Sequence, residues 1–157
     1  MTKHIISLVL LVAVLAFGHD ARAEGKKLAV VVVKGSPVTN LSKADLKHAF
    51  EGDSVSAGGK TLVPFNFPPG SAERAGFDAA ILGKSEAEVG NFWVDRKVRG
   101  QSGAPRALPS AGHVAKVVAK FPGAIGYLPV DALTSDVQAV KIDGVAHTDA
   151  RYKITSR

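Results

Sequence analysis

The chain has no cysteine among its 157 residues. Disulfide frameworks, thiol catalysis, Cys-ligated zinc and iron–sulfur clusters are excluded together. Histidine is scarce: beyond residue 23 only His48, His113 and His147 remain, and none has a second His or a carboxylate at a metal-ligand spacing. No metal and no cofactor are expected. The motifs G-x-S-x-G and S-x-x-K and paired catalytic carboxylates are also missing, so no catalytic residue is assigned and the chain reads as no enzyme. The 16 Gly and 8 Pro are scattered, and 46% of residues are apolar, which excludes low complexity and disorder. One ordinary domain fits this length.

Long apolar runs are missing as well. The longest, Ile5 to Phe17, covers 13 residues, too few for a comfortable membrane span. Lys3 and His4 precede it and Ala21-Arg22-Ala23 follows, the layout of a secretory signal peptide. Cleavage is expected after Ala23, which takes 23 of 157 residues and leaves a domain of 134, residues 24–157. The exported product is expected in the periplasm or outside the cell, not embedded in a membrane once mature. Acidic residues are in deficit, 14 against 20 Lys+Arg, for a net charge of +6. In an exported domain this surplus points away from nucleic acid, toward small anions, anionic envelope surfaces or simple solubility.

The remaining sequence alternates strands and helices. Lys26 to Lys34 holds Leu-Ala-Val-Val-Val-Val, a β-branched run that predicts a strand buried on both faces. Gly35-Ser36-Pro37 breaks it, and Ser42 is placed to cap a helix running to about Phe50, with Asp45 three residues on and Leu41 stapling onto Leu46. A second strand is predicted over Thr61 to Phe67, then a helix from Ser71 to Leu82 that ends at Gly83. Ser85-Glu86-Ala87-Glu88 is a capping box for a helix with Val89, Phe92, Trp93 and Arg96 on one side. Trp93 is read as core, and Arg96-Lys97-Val98-Arg99 as cations satisfying a helix end. Residues 98–109 read as an irregular loop. Ser110 caps a helix with Val114, Val117, Val118 and Phe121 at i, i+3, i+4, i+7. Strands at Ala124 to Leu128 and Val137 to Asp143 close the domain, and a polar tail from about residue 145 reads as loosely attached. The order implies a three-layer α/β domain.

Several segments resemble one family. Val31-Val32-Val33-Lys34-Gly35-Ser36-Pro37-Val38, followed by Leu41-Ser42-Lys43-Ala44-Asp45-Leu46-Lys47-His48-Ala49-Phe50-Glu51-Gly52, resembles the opening of the PBP-like domain of phosphate ABC-transporter substrate-binding proteins. Phe121-Pro122-Gly123-Ala124-Ile125-Gly126-Tyr127-Leu128-Pro129 resembles that family's P-G-A-I-G-Y hallmark, and Val140-Lys141-Ile142-Asp143-Gly144 its closing segment. The resemblance implies an α/β/α domain like one lobe of a type II periplasmic binding protein. It also implies binding of phosphate or a similar oxyanion, and an ABC permease as partner.

The family's anion-holding G-S-G-T/S sequence falls on Gly70-Ser71-Ala72-Glu73, with Arg74 next. Gly70, Ser71, Ala72 and Arg74 are therefore the expected oxyanion ligands, and helix-start amides with a dipole suit that role. Ser102 and Gly103, in Gly100-Gln101-Ser102-Gly103, form a weaker second rim. Two features depart from the pattern. Glu73 stands where a hydroxyl is usual, and Phe67-Pro68-Pro69 stands where the family carries an Arg. Glu73, together with a length that resembles only one of the two lobes such proteins close around a solute, favours an alternative: an envelope interaction or regulatory protein, facing a sensor, that kept the fold and lost the solute.

Overall fold

The computed structural model describes residues 24–157, and the expected signal peptide with its cleavage site lies outside them. Among the described residues, the uninterrupted apolar run Leu28–Val33 becomes the centre of the sheet. Strand β1 (Leu28–Val33) is buried along nearly its whole length. It runs antiparallel to β7 (Ala124–Pro129) on one side and to β8 (Val137–Ala139) on the other. Beyond β7 come β5 (Val63–Asn66) and β6 (Arg106–Ala107), both added in parallel, giving the order β6-β5-β7-β1-β8. A strand flanked on both edges and covered on both faces must be apolar at successive positions, which is the pattern of β1.

Smaller pairings complete the chain. β2 (Asn40–Leu41) pairs in parallel with β9 (Lys141–Ile142), and β3 (Ser56–Ala57) forms a hairpin with β4 (Lys60–Thr61). The helices are α1 (Lys43–Phe50), α2 (Ala72–Phe77), α3 (Glu86–Val98) and α4 (Ala111–Lys120). Each start is capped as the sequence predicts: Ser42, Ser71, Ser85 and Ser110 all accept from the amide three residues on.

Helices cover both faces of the sheet. Gly126 faces α4, since a Cβ there would lie 2.8 Å from Val114. The next residue, Tyr127, faces the other way and stacks flat on Phe77, with ring centroids 3.8 Å apart. Phe50 and Phe67 pack around the same tyrosine. The three-layer α/β/α arrangement expected from the element order is therefore present.

Four local readings differ. The helix from Ser71 does not continue as α-helix to Leu82: residues Asp78–Leu82 form a π-turn, ended by Gly83 in the left-handed region at φ 66°. Residues 98–109 are not wholly irregular, because Arg106 and Ala107 pair with Phe65 and Asn66. The strand predicted over Val137 to Asp143 is split at Val140 between two sheets. The tail is not loose. Leu28 donates to the Ile154 carbonyl, Ser156 to that of Lys26 and Arg157 to that of Ala72, at 2.9, 2.8 and 3.0 Å, while Tyr152 and Ile154 are buried. Gly76 makes room for this segment, since a Cβ there would lie 1.9 Å from the Thr155 carbonyl oxygen.

Candidate functional site

The expected anion site begins at the end of β5. Asn66 is buried, and its Oδ1 accepts from the Tyr127 hydroxyl and from the Phe67 amide. Burial pushes the Tyr127 phenol well above its ordinary range, so it stays a neutral donor. This fixes the chain direction at Phe67, and Pro68-Pro69-Gly70 then turns it, with Gly70 at φ 84°. The Pro68 carbonyl accepts from the Ser71 amide at 3.3 Å and from its hydroxyl at 2.8 Å. The same Ser71 oxygen accepts from the Arg74 amide at 3.2 Å. Gly70 and Ala72 are exposed, and Ser71 between them is half-buried. Glu73 is half-buried in the first turn.

Arg74 does not join them. Its side chain is turned inward and is only 7% exposed. Nε donates to Asp78 Oδ2 at 2.7 Å, and a terminal nitrogen donates to the Phe67 carbonyl at 3.0 Å. Asp78 is 1% exposed, and its Oδ1 has no partner. Burial raises the Asp78 carboxyl above its ordinary range, and Arg74 pulls it back part of the way. The expected guanidinium ligand is thus a structural partner, holding Phe67 against the π-turn. Its i, i+4 spacing from Asp78, inside an apolar helix face, was the sequence signal for this pairing.

A cavity of about 360 Å³ lies over the pair, between Pro69, Glu86, Trp93 and Pro105. Trp93, read as core, is half-buried and forms part of this wall. Glu86 brings a second carboxylate, so the charged groups here do not favour an anion. Ser102 and Gly103 line a different cavity, of about 320 Å³, with Gly52, Asp53 and Thr61. Pro105 lines both cavities, and Gly70, Ser71 and Ala72 line neither. Ser102 is also engaged: its hydroxyl donates to the Gly52 carbonyl at 3.0 Å and accepts from Arg96 at 3.1 Å. Arg96 lies against the Phe92 and Trp93 rings, so it braces α3 instead of simply neutralising its end.

The sequence reading missed one cation near α2. Lys26 is bonded to Asp131 at 2.7 Å, which raises its pKa, with a weaker pull from Glu73. No group of acidic and histidine side chains able to hold a metal is found among the described residues. No helix there is long and apolar enough to cross a membrane.

The architecture has solved counterparts. An ABC-type phosphate transport receptor from Vibrio cholerae superposes with a TM-score of 0.66 at 19% identity, over 85% of this chain and 55% of its own. A phosphate ABC transporter substrate-binding protein with bound phosphate from Clostridium perfringens gives 0.63 at 21%, over 85% and 54%. The fold is that of one lobe of a type II periplasmic binding protein. In sequence, the lobe is 35% identical over 126 residues to the phosphate-binding protein PstS of Bacillus subtilis (strain 168), covering 75% of this chain and 36% of that one. The lobe thus spans about half the length of the solved receptors and about a third of the curated relative. No family profile matches it. By sequence and fold together, the lobe is similar to the PBP-like domain of phosphate-receptor proteins.

Proposed function

We propose that residues 24–157 form an exported binding module for phosphate or a similar oxyanion, linked to ABC-type transport and released into the periplasm or medium by signal-peptide cleavage. The observation that carries the reading is the 35% identity to a phosphate-binding protein. Exposed Gly70 and Ala72 flank half-buried Ser71 at the segment where the family resemblance expects its anion. Amide donors at a helix start suit an oxyanion. Arg74 is left out of the ligand set because Asp78 holds it. No catalytic role is proposed, since the similar proteins are named as binding proteins and receptors. An ABC permease is the proposed partner.

Isothermal titration with phosphate, sulfate and molybdate tests this. Saturable heat with phosphate at or below millimolar concentration is expected, and none with any of the three would overturn it. A second reading has its own support. With Arg74 engaged, Glu73 in the first turn and Ser71 donating to Pro68, the start of α2 offers amides but no free guanidinium. On that reading the lobe is an interaction or regulatory protein of the envelope, and a specific sensor partner without anion binding is the expected result.

A further inference from the structure

A further opening lies away from α2. Helix α4 packs over β7, β1 and β8 and does not close over the β5–β6 edge of the same face. The result is a groove of about 540 Å³, within the size range of about 300–1,000 Å³ of small-molecule sites. Its floor is Phe65 and Leu108, and its walls are Val63, Val117 and Phe121. Phe121 was expected at the end of the apolar stripe with Val114, Val117 and Val118. It is 58% exposed, and Val63 is 51% exposed. Two large apolar side chains open to water on one rim mark a surface that gains by being covered.

The charges around the groove have one sign. Arg106 and His113 line it, and no carboxylate does. Exposed Lys116 and Lys120 lie next to the His113–Val117–Phe121 stripe of α4. None of Arg106, Lys116 and Lys120 is in an ion pair among the described residues. The cause is in the sequence: between Asp95 and Asp131 there is no acidic residue, and between Asp53 and Glu73 there is none either. These two stretches supply every wall of the groove. A second copy would oppose the same cations to each other, which disfavours self-association through this face.

We propose that this groove binds a free single-chain anionic amphiphile, a fatty-acid-like carboxylate, with its alkyl chain along Phe65, Val117 and Phe121 and its head group at Arg106 and His113. The apolar trough takes the chain, and the acid-free rim takes the charge. His113 is held for this by Ser110, whose hydroxyl lies 2.8 Å from Nδ1, so Nε2 remains for a ligand. The site is separate from the start of α2, and the proposal does not depend on oxyanion binding there.

The experiment is calorimetric titration of the protein with dodecanoate below its micelle concentration, beside dodecyltrimethylammonium. Saturable 1:1 binding of dodecanoate is expected, at least about ten-fold tighter than the cation. Decanoate should bind about three-fold or more weaker than dodecanoate, because each methylene removed gives up buried apolar surface. Arg106→Glu and Phe121→Ala, both at exposed positions, should each weaken binding about ten-fold with little change in melting temperature. Inorganic phosphate at millimolar concentration should not compete. Equal affinity for both head groups, or binding that survives both substitutions, would overturn the proposal. So would phosphate competition, binding to anionic vesicles without binding to monomeric dodecanoate, or a dimer in light scattering that dodecanoate leaves intact.

Discussion

Arg74 and Asp78 carry the sharpest residue-scale consequence. A guanidinium at the surface of an anion site would be cheap to remove, whereas this one neutralises a buried carboxylate. Arg74→Ala should therefore cost about 3–5 kcal/mol of stability, read as a lower urea midpoint. Its pH dependence gives the sign. A carboxyl whose native pKa is raised contributes stability that is full below the ordinary carboxylate range and is lost as pH rises through the native value. Removing Arg74 raises that value further. The gap between variant and parent should thus narrow on going from neutral pH to about pH 5, as protonation of Asp78 removes the unpaired charge. A variant of unchanged stability that loses phosphate binding would return Arg74 to the ligand set.

At the scale of the element, the start of α2 separates the two functional readings. Ser71 is the N-cap in either case, so Ser71→Ala should lower stability by about 1 kcal/mol whatever the ligand. Glu73→Thr is the informative change. It restores the family's hydroxyl and removes a negative charge from the first turn. On the binding reading, phosphate affinity in titration should rise, more at low salt, where the lost repulsion is least screened. On the regulatory reading only a few tenths of a kcal/mol of helix-dipole stabilisation should be lost. The elements themselves were largely readable. Capping serines and apolar spacing are local signals, and Ser42, Ser71, Ser85 and Ser110 all cap as predicted. What local pattern cannot carry is partnership. The two residues of β6 are strand because β5 lies beside them, and Phe121 lies exposed at the end of a helix that packs over β7, β1 and β8. Of the expected ligands, Arg74 is the one the structure turns away from the surface. Whether Arg74 turned outward depended on a buried Asp78 one helical turn away.

Across the whole molecule, the ends of the described chain hold each other. Lys27 and Thr155 bridge, and Ile154 is buried where this segment crosses α2. Ending the chain before Lys153 removes that buried Ile and the backbone bonds to Lys26, Leu28 and Ala72. The expected loss is about 3–6 kcal/mol, a fall in melting temperature of at least about 10 °C by calorimetry. A polar composition hid this role, since the binding is through backbone groups that any residue supplies.

The central position of β1 sets an order on folding. The strand leaves the start of the domain with both edges open, and its partners are residues 124–129 and 137–139, roughly a hundred positions later. No sheet can close around β1 until nearly the whole domain is available. A nascent copy therefore stays unfolded until nearly the whole domain has been made. It carries with it an unshielded valine run that must be kept from other chains until β7 and β8 arrive.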